Sequence, residues 1–118
     1  MLIQIDYKDK RPIYEQVIEK LQNLIVRGIL PADEKIPSVR NLAIELSINP
    51  NTIQKAYQEL ERLGYIYTVK GRGNYVSAPA TWKKDRKDDY FEELNQVVAE
   101  LMTMGVKKEE IISFINQK

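Results

Sequence analysis

The chain has 118 residues, 43% of them hydrophobic and 30% charged, with a formal net charge of +1. That length excludes a large two-domain enzyme and leaves one domain, or a compact head with a short appendage, with enough apolar material for a core. Cysteine and histidine are both absent, which excludes disulfides, thiolate metal sites and imidazole ligands, so no metal or cofactor is expected.

In chain order, Ile13, Val17, Leu21 and Leu24 recur at helical spacing, with Tyr14, Ile18 and Ile25 widening the stripe. Residues 12–27 therefore read as an amphipathic helix, bracketed by Pro12 and Gly28. Residues 29–37, with Pro31 and Pro37 around Asp33-Glu34-Lys35, read as a connecting loop. Ser38 offers a capping oxygen to a short second helix whose apolar positions are Val39, Leu42, Ala43 and Leu46. Asn49-Pro50, a cap followed by proline at the first helical position, starts a third helix that runs to about Leu63. Its inner face is Ile53, Ala56, Tyr57, Leu60 and Leu63, and Gly64 stops it.

Beyond Gly64 the period changes to about two. Tyr65 to Val69 and Asn74 to Val76 are β-rich runs around Lys70-Gly71-Arg72-Gly73, a hairpin with a flexible, basic tip. Residues 77–89, with Pro79, Lys83-Lys84, Arg86-Lys87 and Asp88-Asp89, read as a solvated connection that becomes helical before Tyr90. Phe91, Leu94, Val97, Val98, Leu101 and Met102 form an apolar stripe broken at Gly105, and Val106, Ile111, Ile112, Phe114 and Ile115 mark a last helix. The fold class is mainly α with a small β-hairpin. It divides into a winged helix-turn-helix over residues 1–78 and a two-helix appendage over residues 79–118.

The two parts are close to neutral, +2 for residues 1–78 and −1 for residues 79–118, so a nucleic-acid surface must come from clustering. No run approaches the roughly 20 apolar residues of a membrane-spanning helix, and the N-terminus does not follow a basic-then-apolar signal pattern. A cytoplasmic protein is expected.

The order helix, loop, helix, three-residue turn, helix, hairpin carries the functional signal. In a helix-turn-helix the second helix of the motif lies in the major groove and reads base edges from its N-terminal residues. Here Asn49, Asn51, Thr52, Gln54 and Lys55 are polar while Ile53, Ala56 and Tyr57 face inward. Asparagine and glutamine pair with adenine, and lysine reaches guanine or phosphate. Arg40, in the first turn of the preceding helix, is placed for phosphate or a base edge. Arg72 sits between two glycines that let the hairpin tip approach the backbone and a narrow minor groove. Taken alone, a glycine-flanked arginine is a hairpin turn with a solvated charge, and a polar helix start is a cap; their joint order makes the argument.

The runs Ile36-Pro37-Ser38-Val39-Arg40-Asn41-Leu42-Ala43, Ile48-Asn49-Pro50-Asn51-Thr52-Ile53, Ala56-Tyr57-Gln58-Glu59-Leu60-Glu61, Gly64-Tyr65-Ile66 and Gly71-Arg72-Gly73 resemble the GntR-family winged helix over about residues 10–77. The resemblance implies DNA contact at Ser38, Arg40, Asn49, Asn51, Thr52, Gln54 and Gly71 to Gly73, with Lys55 and Lys70 beside them. Two positions depart from the family pattern. Asp33 stands where glycine is usual, and Pro50 where many members place a base-reading arginine, although members with a short tail often show Asn-Pro-Asn-Thr here.

The 40-residue tail resembles the YtrA-type subfamily, in which two helices pair with those of a second protomer. Phe91, Leu94, Val98, Leu101, Ile111, Phe114 and Ile115 are the expected dimerisation residues; the bland alternative is that the stripe packs on its own head. A two-fold dimer reads an inverted repeat. By the resemblance, the outcome is repression of a transporter operon or of the regulator's own gene. Two short helices cannot wall an effector pocket within one protomer, so any effector belongs at the dimer interface.

Two rival classes stand beside this reading. An enzyme lacks a phosphate-binding loop and partnered nucleophiles, and the adjacent acids Asp88-Asp89, Glu92-Glu93 and Glu109-Glu110 point in different directions on their helices. A winged helix also serves as a protein- or RNA-interaction module without operator specificity.

Overall fold

A computed structural model describes residues 2–118. They form α1 (Ile13–Val26), α2 (Val39–Leu46), α3 (Pro50–Arg62), β1 (Ile66–Val69), β2 (Gly73–Val76), α4 (Pro79–Thr103) and α5 (Lys108–Asn116). The chain divides into two compact units, the first ending at Trp82 and the second spanning Lys83–Lys118. No helix among the described residues is long and apolar enough to cross a membrane.

The first unit is a three-helix core closed by a small sheet, the winged arrangement expected from the sequence. α1 and α2 both pack on α3, and β1 follows against its end. Val17, Leu21, Leu42, Ile53, Leu60, Ile66 and Val76 are fully buried, so the helical stripes and the inward strand positions meet in one core. Local chemistry sets the element ends. The Ser38 hydroxyl accepts the Asn41 N–H at 3.1 Å at the start of α2, and the Asn49 side chain accepts the Asn51 N–H at 2.8 Å at the start of α3. Each bond satisfies a helix-end donor that has no intrahelical partner.

β1 and β2 pair antiparallel, Ile66 opposite Val76 and Val69 opposite Gly73. The segment read from sequence as a plain loop adds a short third rung to this sheet. The Asp33 N–H donates to the Val76 carbonyl at 2.8 Å, the Val76 N–H to Glu34 at 2.9 Å and the Ile36 N–H to Asn74 at 2.9 Å, with Lys35 bridged to Tyr75. Two prolines and three charges hide this single bridge, whose pairing comes from β2's free edge. Asp33 itself lies in the left-handed region at φ 67°, which is why glycine suits that position. Aspartate is tolerated there, and the Tyr67 hydroxyl donates to its carboxylate at 2.7 Å.

Gln16 is 1% exposed on the buried face of α1. It exchanges two hydrogen bonds with Asp6: the Asp6 N–H donates to its carbonyl oxygen and its amide donates to the Asp6 carbonyl, both at 3.0 Å. The N-terminal segment is thereby fixed to α1, and Ile3 is buried in the core.

Helix α4 starts at Pro79, within the segment expected to become helical somewhere before Tyr90 and close to its beginning. Proline fits a first helical turn, and Trp82 is buried against Tyr65, ring centroids 5.5 Å apart. The mixed charges of residues 83–89 are a solvated helix face rather than a connection. In the second unit Gly105, at φ 92°, turns the chain between α4 and α5, and the Val106 N–H closes on the Leu101 carbonyl at 3.0 Å. None of its residues is buried.

Candidate nucleic-acid interface

The site is built on the α2–turn–α3 unit. Ser47 closes α2 in the left-handed region at φ 54°, and the Ile48 N–H returns to the Ala43 carbonyl at 2.9 Å. Three residues, Ser47 to Asn49, therefore separate the helices. A second tie crosses between them: the buried Tyr57 of α3 donates its hydroxyl to the Pro37 carbonyl, 2.7 Å away and one residue before the α2 cap. Burial, with the charge of Glu45 a smaller cause, pushes the Tyr57 pKa well above the ordinary tyrosine value, so this hydroxyl stays a donor.

On this frame Asn51, Gln54 and Lys55 are exposed, Thr52 is half-buried, and Ile53, Ala56 and Tyr57 are buried. The polar residues of the first turns thus stand outside a helix whose other face is core. Asn49 is exposed, but its side-chain oxygen is committed to the cap, leaving the amide donor free for a ligand. Ser38 is in the same position: its oxygen accepts the Asn41 N–H, and its hydroxyl proton stays available. Lys55 projects differently from Asn51 and Gln54. Its ammonium lies over the Tyr14 ring of α1, 3.9 Å from the centroid, in a groove that also contains Glu15, Ile18 and Gln58.

Arg40 occupies the first turn of α2 and is exposed; Lys70, Gly71 and Arg72 form the exposed hairpin tip. The Arg72 N–H closes the tip on Val69 at 2.9 Å, and Gly71 and Gly73 take positive φ angles of 79° and 129° that other residues rarely adopt. Among the described residues Arg40, Lys70 and Arg72 have no carboxylate partner, whereas Arg11 pairs with Asp9 and Glu19, and Arg62 with Glu59. Hydrogen bonding from Arg11 holds the Asp9 carboxyl below the usual carboxylate range. The cations of α2 and the hairpin tip therefore face solvent without an ion pair among the described residues.

Of the expected dimerisation residues, Phe91, Leu94, Phe114 and Ile115 are exposed, while Val98, Leu101 and Ile111 are half-buried. Two features of the head escaped the sequence reading. The Gln16–Asp6 clamp gives no periodic signal, since a polar residue inside an apolar stripe looks like an interruption. Lys35 looked like part of a charged loop, yet its stem crosses Gly73 of the hairpin.

Residues 13–76 match the family described as bacterial regulatory proteins, gntR family. The chain is 41% identical over 118 residues to the HTH-type transcriptional repressor YtrA of Bacillus subtilis, covering 98% of this chain and 91% of that protein. A crystal structure of a transcriptional regulator from Oenococcus oeni, 37% identical, superposes with a TM-score of 0.83 over 96% of this chain and 95% of that one. The structure of AraR(DBD) in complex with operator ORE1, 32% identical, gives a TM-score of 0.55 over 64% of this chain and 95% of that one.

Proposed function

The chain belongs to the GntR family of bacterial regulatory proteins, whose members are not enzymes, and from that premise we propose that it is a sequence-specific repressor binding an inverted-repeat operator as a homodimer. The observation that carries this reading is the start of α3. Asn51 and Gln54 stand exposed over a buried helix face, and the same head carries the exposed cations Arg40 and Arg72, which have no ion pair among the described residues. In this reading residues 1–78 make the DNA contacts and residues 79–118 the partner contacts.

The start of α3 enters the major groove. Asn51 and Gln54 read base edges, adenine being the base both side chains match in bidentate fashion. Thr52 and the Asn49 amide bond the adjacent phosphate, helped by the positive end of the α3 dipole. The Ser38 hydroxyl and Arg40 hold the backbone from α2. Lys70 and Arg72 reach the sugar-phosphate backbone from the hairpin, with Gly71 and Gly73 allowing close approach. Lys55 joins them by leaving the Tyr14 ring, a move that exchanges a contact of about 0.5–1 kcal/mol at an exposed site for a phosphate.

Phe91, Leu94, Val98, Leu101, Ile111, Phe114 and Ile115 form the partner-facing stripe of α4 and α5. A two-fold dimer sets its two reading heads about one helical turn apart, ~34–36 Å, or a multiple of it. Repression follows from occupying a promoter, with a transporter operon or the regulator's own gene as the expected target.

The test is selection of genomic DNA fragments by the purified chain, then titration of the recovered fragment and a scrambled control at two salt concentrations. Recovery of one inverted repeat bound far more tightly than the control supports the reading. Uniform salt-sensitive binding to all fragments makes the chain a non-specific nucleic-acid binder, and absence of binding makes the head an interaction module for protein or RNA.

A further inference from the structure

We propose that Lys35 is a third cationic contact of the hairpin with the DNA backbone, carried to the hairpin by the β-bridge before α2 and seated there by Gly73. The inference rests on the reading of the head as a duplex-binding module.

Backbone pairing places Lys35 directly opposite Tyr75, and Tyr75 lies opposite Tyr67 on the other strand. Side chains two residues apart on a strand share a face, so Lys35, Tyr75 and Gly73 belong to one face, with Lys35 diagonal to Gly73. On that diagonal a side chain would ordinarily fill the space. A Cβ at Gly73 would lie 2.9 Å from the Lys35 Cε and 3.7 Å from its Nζ. The missing side chain is what allows the lysine stem to lie across the hairpin and bring its ammonium beside the residue that follows Arg72.

Charge points the same way. From Val69 to Tyr75 the hairpin contains no acidic residue and carries Lys70 and Arg72. Among the described residues the Lys35 ammonium has neither an ion pair nor a hydrogen-bond acceptor. The nearby Asp33 carboxylate already accepts the Tyr67 hydroxyl, and Glu34 lies on the opposite face by strand alternation. Lys35, Lys70 and Arg72 thus gather at one hairpin with no ion pair among the described residues, the carboxylates of Asp33 and Glu61 being hydrogen-bonded to Tyr67 and Thr68 instead. A polyanion neutralises them, and each phosphate contact releases counterions. The contact is with backbone, so it adds affinity and register without base preference.

The test uses the full chain and the duplex it selects from a random-sequence pool, with scrambled duplex beside it, titrated between about 50 and 200 mM salt. The variants are Lys35→Gln, Lys35→Arg and, as a reference for a hairpin phosphate contact, Arg72→Gln. Lys35→Gln should flatten the slope of log affinity against log salt by about 0.9 per bound head. Over that range its affinity then falls about 3.5-fold less per head than the wild type's. It should weaken both duplexes alike, keep the wild-type melting midpoint, and recover the wild-type slope as Lys35→Arg. A Lys35→Gln slope equal to wild type, while Arg72→Gln is flattened, overturns the inference and leaves Lys35 as a cover for Gly73. A wild-type chain without salt-dependent duplex binding overturns the DNA reading itself, and this inference with it.

Discussion

Removing one oxygen tests the tie between the two helices of the reading motif. In Tyr57→Phe the ring keeps its volume in a site that is 2% exposed, and only the 2.7 Å hydrogen bond to the Pro37 carbonyl is lost. The expected cost at neutral pH is about 1 kcal/mol. For a head of this size that lowers the melting midpoint by about 4–8 °C. The pH dependence is more discriminating. Because burial raises the folded-state pKa above the ordinary value of 10.0, the hydroxyl's contribution is complete below pH 10 and is lost as the pH rises beyond it. By about pH 11 the wild type has given up roughly 1.4 kcal/mol that the phenylalanine variant does not lose. The stabilities should therefore cross between about pH 10.5 and 11, with the variant the more stable above the crossing. Urea unfolding followed by far-UV circular dichroism from pH 8 to 11 measures this. Curves that stay parallel over the range would refute the buried, donating hydroxyl.

Two further substitutions probe the same head. Trp82→Ala should cost about 3–5 kcal/mol, as loss of a buried aromatic does. Trp82→Phe should cost under about 1.5 kcal/mol, because it keeps the ring against Tyr65 and removes an indole N–H that has no partner among the described residues. A phenylalanine variant as unstable as the alanine one would contradict this, and urea unfolding separates the two. At Ser47, held at φ 54°, Ser47→Val should lower the melting midpoint, because a β-branched residue is an outlier there, and Ser47→Gly should leave it unchanged or raise it; a glycine variant less stable than the valine one speaks against a left-handed turn between α2 and α3.

The parts of the head that were legible in the sequence are those fixed by local chemistry. Ser38 and Asn49-Pro50 announce helix starts because a capping oxygen and a proline meet the needs of a helix N-terminus directly. Ile53, Ala56, Tyr57 and Leu60 repeat at the helical period because one side of α3 is core. The illegible parts depend on partners distant in the chain. Residues 33–36 bridge to the sheet only because β2 has a free edge for them. Gln16 is buried because Asp6 returns to it. Lys55 points to α1 because Tyr14 offers a ring face. α4 begins early because Trp82 finds Tyr65, a contact no window of charged residues 83–89 displays. At the site, residue types and order were readable from the sequence; which oxygen is committed to a cap, and which cation lacks a carboxylate, is set by the three-dimensional fold.

The second unit makes the dimer reading a question of folding as well as of operator geometry. Fixing each residue's backbone costs about 1–2 kcal/mol, and an isolated helix of nine residues such as α5 is too short to persist in water. Yet none of the residues from Lys83 to Lys118 is buried, and Phe91, Phe114 and Ile115 are 59%, 60% and 52% exposed. An apolar stripe left this open must be covered for the helices to repay their ordering, and in the proposed dimer a second copy of the same stripe would cover it symmetrically. Leu94→Glu with Phe114→Glu places charge on both helices without touching the core of the head. Sedimentation should shift from twice the chain mass to the single mass, and helicity should fall because α4 and α5 lose their support. Affinity for a full inverted repeat should drop by about 10²–10⁴, the gain that linking two heads provides, while affinity for a single half-site stays as it was. An unchanged mass would mean that these side chains are not the dimer contact. An unchanged affinity for the full repeat from a monomeric variant would mean that one head suffices, and the inverted repeat would lose its physical reason.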